Sequence, residues 1–212
     1  MTGPSPDRRN WRIRPGADTD AATVGLLHSG QIQGGFLSLL GPGFLRHLYR
    51  RICLSQGSFL VVAEDDGGAI GFVAGSADVG ALYRDFLVHD GLRVAWGSAG
   101  RLLRHWRSAL ETLGHGTGSD TLHGSGVELL AIAVDPSRQG EGVGESLIRA
   151  FLDQVVEDGH DAAHVVVAAD NIGAVRFYGR AGFSEAGRFE LHAGTVSLLM
   201  QWPASPGADP RP

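Results

Sequence analysis

One stretch of this chain, from Val127 to Leu147, constrains the fold more than any other. An apolar run from Val127 to Val134 has no helical spacing and is closed by Asp135-Pro136, so it predicts a buried strand. A glycine-rich segment follows, and from Leu147 onward apolar residues recur at helical spacing. The stretch therefore predicts a strand, a glycine-rich turn and a helix in succession.

The glycine-rich turn is suited to binding an anion. Glycines let the backbone approach a ligand closely, and the first N–H groups of a helix have no partner inside it. A P-loop is excluded because the chain contains no lysine, and a dinucleotide fingerprint is excluded because Glu145 and Leu147 stand where its last glycine would be. What remains is the pattern Gln139-x-x-Gly142-x-Gly144.

This pattern resembles the pyrophosphate loop of the GNAT superfamily, the acyl-CoA-dependent N-acyltransferases. A second β-rich run, at 163–168, is followed by a segment similar to that family's downstream motif, with Asn171, Ala174, Phe177-Tyr178 and Gly182-Phe183 at matching positions. The resemblance covers about Glu128 to Gln201 closely and Arg12 to Ser76 more loosely. Two motifs in the expected order make it more specific than either motif alone.

The resemblance implies an α/β (α+β) fold, with a central mixed, twisted sheet of about seven strands flanked by helices. We expect a single N-acetyltransferase domain at 11–202, between a lead at 1–10 and a tail at 203–212 that their composition predicts to be disordered. The expected reaction moves an acetyl group from acetyl-CoA to a primary amine. No cysteine or serine is placed for a covalent acyl-enzyme, which favours direct transfer in a ternary complex.

The resemblance also implies which residues bind acetyl-CoA. In this family the motif strand and the next parallel strand splay apart, and the pantetheine arm of the donor hydrogen-bonds into the gap. Backbone groups of Ile132, Ala133 and Val134 would bind that arm, and Asn171 would contact it near the second strand. The pyrophosphate would be held by backbone amides of the loop, at Gln139, Gly140, Glu141, Gly142, Val143 and Gly144.

Two residues are candidates for acid–base catalysis. Tyr178 matches the family's tyrosine that faces the thioester sulfur, and a phenol with a pKa near 10 stays protonated and can donate a proton. The alternative is ordinary aromatic packing of Tyr178 against its phenylalanine neighbours. Glu128 stands where several family members carry a general base, and the alternative is a solvated carboxylate at a strand end. His123 and Asp170 are weaker candidates for the base.

The acceptor site is less well marked in the sequence. By resemblance, the link between the first two helices would border it, which points to Ile32, Gly34, Gly35 and Phe36. An ordinary helix–helix connection is an equally good interpretation. His28, at the end of the first helix, is interpreted as a charged imidazolium that complements the helix dipole.

Residues 79–126 form an insertion before the motif strand. Apolar spacing predicts two helices between 79 and 113, followed by a glycine-rich loop. The insertion is interpreted as a wall or lid of the acceptor site, and the alternatives are a dimer or partner surface and a membrane-facing surface. The arginines at helical spacing, Arg101, Arg104 and Arg107, are most simply a solvated face.

Composition excludes several classes of function. A net charge of −5 argues against nucleic-acid binding, and a lone Cys53 together with the lack of a long apolar segment predicts a cytoplasmic protein without a membrane span. No metal site is predicted, because His115 and His123 lack a third ligand. We expect a small-molecule amine acceptor. The alternatives are a protein N-acetyltransferase, a non-catalytic acyl-CoA-binding module and an assembly protein that forms, for example, a homodimer.

Overall fold

The computed structural model describes residues 10–32, 41–104, 126–192 and 195–203. Seven strands form one sheet in the order β1-β2-β3-β4-β5-β7-β6, which confirms the expected mixed sheet. The strands are β1 Trp11–Pro15, β2 Ser58–Asp65, β3 Gly68–Ser76, β4 Val127–Val134, β5 Ala163–Ala168, β6 Ser184–His192 and β7 Thr195–Trp202. The helices are α1 Ala21–Gln31, α2 Gly41–Leu54, α3 Val79–Arg104, α4 Val143–Glu157 and α5 Ile172–Arg180.

The sheet changes character between β4 and β5. Every other neighbouring pair of strands is antiparallel, whereas β4 and β5 are parallel. Their pairing is confined to two positions, Val127 with Ala163 and Glu128 with His164. Beyond Glu128 the two strands separate, so that a gap opens towards their C-terminal ends.

Two apolar layers cover the sheet. On one face, called here the α4 face, residues such as Leu147 and Phe151 of α4 pack on the sheet. On the other, called the α2 face, α2 packs with α1 and α3 through residues such as Leu45, Val24 and Leu82. Both sides of the sheet are buried, which is why the central strands are rich in apolar residues and lack a polar alternation.

A β-bulge in β4 determines which residues point to each face. Ala74 of β3 pairs with Ala131, but the next residue, Gly75, pairs with Leu129, so Leu130 is an extra residue in β4. Leu129 therefore packs on the α4 face, whereas Ala131 packs on the α2 face. Bulges bend a strand and re-aim its side chains, and this one lies beside the gap.

The predicted two helices of the insertion are one continuous helix, α3, from Val79 to Arg104, so that prediction was wrong. No proline stands between these residues, and internal glycines such as Gly91 weaken a helix by only about 1 kcal/mol each without ending it. Leu82 and Phe86 bury one side of α3 while Leu87 and Val88 are exposed.

Several predicted segments lie outside the described residues. They are most of the lead at 1–10, the tail beyond Pro203, the turn at 193–194, and the part of the insertion at 105–125 that contains His115 and His123. In the ranges that the structure does describe, no helix is both long and apolar enough to cross a membrane. The same ranges contain no group of three His, Cys, Asp or Glu side chains that could hold a metal ion.

His28 does not cap α1 as a charged imidazolium, so that interpretation was wrong. Its side chain is buried on the α2 face, Nδ1 lies 2.6 Å from the Tyr49 hydroxyl, and its ring stacks on Phe72 with centroids 6.4 Å apart. Burial lowers the pKa of His28 to about 4. The residue is at the end of the helix, as expected, but on the side that packs against the sheet.

The buried neutral His28 should make stability depend on pH. In the unfolded chain a histidine takes up a proton below about pH 6.5, but folded His28 does so only below about pH 4. Stability is therefore lost as the pH falls from 6.5 towards 4, by about 2 kcal/mol at pH 5. Urea unfolding at pH 8 and pH 5 measures this. A His28→Gln variant should lack this part of the pH dependence, and an unchanged pH dependence in the variant would contradict the assignment.

Candidate active site

The loop between β4 and α4 leaves open space on one side. Asp135 shapes its start, because Oδ1 accepts hydrogen bonds from the Ser137 backbone N–H at 2.9 Å and from its hydroxyl at 2.6 Å. Gly140 and Gly142 adopt φ angles of 84° and 80°. A Cβ atom added to either glycine would meet no atom within 4 Å. The loop thus has room for a ligand close to its backbone.

Helix α4 begins without a cap. Its N-cap position is Gly142, in the left-handed conformation, and no side chain accepts a hydrogen bond from the first turn. The first N–H groups of a helix have no intrahelical partner, and the helix dipole adds partial positive charge there. The residues present at 139–144 therefore fit an anionic group such as a pyrophosphate.

Arg138 anchors this loop to the rest of the sheet, a role that the sequence did not predict. Its guanidinium forms ion pairs with Asp65, in the β2–β3 hairpin, and with Glu141, at 3.3 Å. The contact with Arg138 lowers the pKa of the Asp65 carboxyl. No local pattern indicates this pair, because the two residues are 73 positions apart.

The gap between β4 and β5 is an unfilled position in the sheet. Ile132, Ala133 and Val134 pair with β3 along one edge of β4, while the other edge no longer pairs with β5 at this level. An extended chain with amide groups could hydrogen-bond to such an edge. At the far side of the gap, Asn171 caps α5, since its Oδ1 accepts from the Ala174 N–H at 3.1 Å, as its sequence position predicts.

Tyr178 lies in α5 with its ring buried. The ring contacts Phe177 and Phe183, with centroids 5.3 and 5.7 Å apart. Burial raises the pKa of Tyr178 above its usual value of 10, so the phenol stays protonated. The aromatic packing considered from the sequence is therefore present, and the protonated hydroxyl keeps its ability to donate.

Glu128 lies at the closed end of the gap, at the last position where β4 pairs with β5. Its Oε2 is 3.6 Å from Nε2 of His164, and its side chain is 31% exposed. Tyr83 of α3 lies close enough for the negative charge of Glu128 to add to the effect of burial, which raises the pKa of Tyr83 to about 12.

The sequence did not predict that His164 and Tyr83 lie close to Glu128. The available signal for His164 was a polar residue inside the apolar run of β5. No comparable signal marked Tyr83, since its nearness to Glu128 depends on how α3 packs on the sheet.

Only one of the four predicted acceptor-site residues is described by the structure. Ile32 directly follows α1, its N–H donates to the His28 carbonyl at 2.9 Å, and its side chain packs against the α2-face core. Gly34, Gly35 and Phe36 lie outside the described residues. The acceptor pocket at this link therefore stays a prediction.

The loop, the gap and the seven-stranded sheet together are the features of a GNAT fold. The model of the acetyltransferase (GNAT) family matches residues 36–183. Because this match covers more than half of the chain, the protein belongs to that family.

Relatives and solved structures agree with this assignment. Mycothiol acetyltransferase of Clavibacter sepedonicus is 41% identical over 63 residues, which are 30% of this chain and 21% of the relative. Mycothiol acetyltransferase of Actinosynnema mirum is 35% identical over 102 residues, 47% of this chain and 30% of the relative. The aligned part of this chain thus spans less than a third of the length of either relative.

Two solved structures illustrate the fold. One is yncA from Salmonella typhimurium with its cofactor acetyl-CoA, which has a TM-score of 0.58 and 16% identity over 95% of this chain and 98% of that one. The other is the ribosomal-protein-S18-alanine N-acetyltransferase from Escherichia coli, with a TM-score of 0.58 and 14% identity over 95% and 99%. At these identities the likeness concerns the fold.

Proposed function

We propose that this acetyltransferase moves an acetyl group from acetyl-CoA to the primary amine of a small molecule by direct transfer. The observation that carries the proposal is the gap between β4 and β5, which leads to the uncapped N-terminus of α4. A long donor with amide groups in its arm and a pyrophosphate at its end suits both features. Acetyl-CoA supplies the acetyl group and the thiolate that leaves.

The chain's backbone would bind and orient the donor. The free edge of β4 at Ile132, Ala133 and Val134 would hydrogen-bond to the pantetheine arm. Backbone N–H groups between Gln139 and Gly144 would hold the pyrophosphate, where charge-assisted hydrogen bonds are stronger than neutral ones. Arg138 compensates the negative charge of Glu141 beside the loop. Asn171, at the start of α5, would lie beside the arm.

Glu128 and Tyr178 would move the protons. Glu128 accepts one proton from the ammonium group of the acceptor, which gives the nitrogen a free lone pair. The bond from nitrogen to the acetyl carbon forms, the bond from that carbon to sulfur breaks, and Tyr178 donates its hydroxyl proton to the sulfur. As the amide forms, the nitrogen loses a second proton, which restores the Tyr178 phenol. The products are an amide, a thiol and one proton released to water from Glu128.

The small-molecule acceptor is favoured by the sequence relatives, which carry the name mycothiol acetyltransferase. The partly exposed carboxylate of Glu128 suits a cationic amine of either class. The fold does not discriminate, since a ribosomal-protein N-acetyltransferase matches it as well. A panel of amino sugars, amino acids, polyamines and peptides, assayed by thiol release, tests the proposal. Turnover confined to peptides and proteins would contradict it.

Acetyl-CoA should stabilise the wild-type protein but not a Gly142→Asp variant. At a hundred times its Kd, a ligand stabilises the native state by about 2.7 kcal/mol, which corresponds to a Tm increase of about 5–10 °C for a chain of this length. An aspartate at 142 would place a carboxylate where the pyrophosphate binds, so the shift should disappear. Thermal unfolding with and without acetyl-CoA measures both effects.

Gly159→Asp is the matched control for Gly142→Asp. Gly159 has nearly the same φ angle, 82° against 80°, and an added Cβ would likewise meet no atom within 4 Å. Gly159 lies beyond the C-terminal end of α4, so an aspartate there introduces the same backbone strain and negative charge at a distance from the loop. The control should keep the full acetyl-CoA shift. Equal losses in the two variants would argue against a pyrophosphate site at 139–144.

A further inference from the structure

A row of polar side chains crosses the sheet at the level where β4 and β5 still pair. Ser76 of β3 stands opposite Glu128, Glu128 is beside His164 of β5, and His164 stands opposite Gln201 of β7. Residues paired across neighbouring strands point to the same face of a sheet. All four therefore share the α2 face, at the closed end of the gap.

The α2 face is open just beyond this row. Val165 and Val167 of β5 are buried against the α4-face core, whereas Val166, the next residue on the same face as His164, is 38% exposed. A molecule that approaches the gap from the α2 face would therefore meet the polar row at its floor. This is the side from which an acceptor would reach Glu128.

Glu128 and His164 differ in how a ligand could reach them. The side chain of Glu128 is 31% exposed, but that of His164 is 7% exposed. Their nearest atoms, Oε2 and Nε2, are 3.6 Å apart, a separation that often shortens to a hydrogen bond when substrates bind. The carboxylate can contact an acceptor directly, whereas the more deeply buried His164 would act on an acceptor through Glu128.

A second titratable group close to this carboxylate is Tyr83. Tyr83 approaches it from α3, and because burial raises the pKa of Tyr83 to about 12 the phenol is neutral. Ser76 from β3 and Gln201 from β7 complete the row and carry no charge. Within the polar row, His164 is the side chain that lies at ion-pair distance from the Glu128 carboxylate.

We propose that His164 is a positioning residue for Glu128, an inference that rests on the proposed function. As substrates bind and the 3.6 Å separation shortens, the imidazole Nε2–H donates to Oε2 and fixes the carboxylate at the closed end of the gap. The second oxygen, Oε1, is left to accept the proton of the acceptor amine. Because strand β5 fixes the backbone of His164, the imidazole is a partner of fixed position for the general base.

The first experiment measures kcat/KM in single variants. His164→Leu should lower kcat/KM for the amine about tenfold and shift the acidic limb of its pH profile, with the KM for acetyl-CoA unchanged. His164→Gln should recover much of the loss, because a glutamine amide can donate to Oε2. If leucine and glutamine have the same effect, or the pH profile does not move, the proposal is overturned.

A double-mutant cycle separates action through Glu128 from a general structural role. In a Glu128→Gln background the carboxylate is gone, so His164→Leu should cause no further loss of kcat/KM. An equal loss in both backgrounds would overturn the proposal, since it would show that His164 acts independently of Glu128.

The same double-mutant cycle can be measured on the free energy of unfolding, which does not require catalytic activity. If the wild-type protein binds acetyl-CoA and acetylates no amine, the proposed function fails, and urea unfolding of the four proteins still tests the pair. A coupling between positions 128 and 164 larger than the measurement error supports the contact. The control cycle uses His89→Leu, at an exposed histidine of α3, and should show no coupling. A coupling energy of zero between positions 128 and 164, as in the control cycle, would overturn the proposal.

Discussion

Replacing Tyr178 with phenylalanine should lower kcat by a factor of about 10² to 10⁴ and leave acetyl-CoA binding unchanged. The hydroxyl is the only group that the substitution removes, and in the proposed reaction it donates the proton to the departing sulfur. The ring packing against Phe177 and Phe183 is kept. Thiol-release kinetics measure kcat, and thermal unfolding with acetyl-CoA measures binding.

Tyr49→Phe is the control, because it removes a buried hydroxyl that has a different task. The Tyr49 hydroxyl bonds to His28 at 2.6 Å, so its loss should destabilise the fold by about 1–3 kcal/mol while kcat stays near that of the wild type. Tyr178→Phe should show the opposite pattern. A Tyr178→Phe enzyme with full kcat would leave Tyr178 with a packing role alone.

Replacing Gly126 with alanine should lower the free energy of unfolding by about 3 kcal/mol or more. Gly126 has a φ angle of 81°, and an added Cβ would lie 1.8 Å from the Ala162 carbonyl oxygen. Neither atom can yield without moving the backbone. The hydrogen bond from Val127 N to Ala162 O, at 3.0 Å, begins the pairing of β4 with β5, so the clash falls where the gap closes. Urea unfolding measures the loss.

Gly159→Ala separates the clash from backbone strain. Its φ angle of 82° is nearly the same, but an alanine Cβ there would meet no atom within 4 Å. It should therefore cost only the strain of the left-handed conformation, about 1 kcal/mol. An equal loss of stability in Gly126→Ala and Gly159→Ala would show that the close approach of Gly126 to Ala162 adds nothing to the cost of the substitution.

The parts of the fold that sequence predicted are those with local signals. The apolar run of β4, the glycines at 140, 142 and 144, and the helical spacing of α4 occur within about thirty residues of one another. The Asp66-Gly67 dipeptide between β2 and β3 is typical of a two-residue hairpin turn, and this signal is equally local. Each element follows from backbone preferences and from one-sided burial, which are properties of a short segment.

The predictions that were wrong, and the contacts that were not predicted, depend on tertiary structure. His28 has the position of a helix cap, and its burial follows from how α1 packs against the sheet, which short-range spacing does not encode. The contact between Glu128 and His164 depends on the register of β4 against β5, and that between Arg138 and Asp65 joins distant segments. In the insertion the apolar spacing predicted two helices, but α3 continues from Val79 to Arg104, because its internal glycines cost too little to end it.

The confined pairing of β4 with β5 divides the sheet into two antiparallel halves, β1–β4 and β5–β7, whose backbones meet at two residue pairs. The seam between the halves is also the proposed donor site. A donor bound there would act like an additional strand between the halves. The same backbone groups would then bind the donor and hold the two halves together. In such a molecule, donor binding at the active site would also add to the hydrogen bonding that joins the two halves of the sheet.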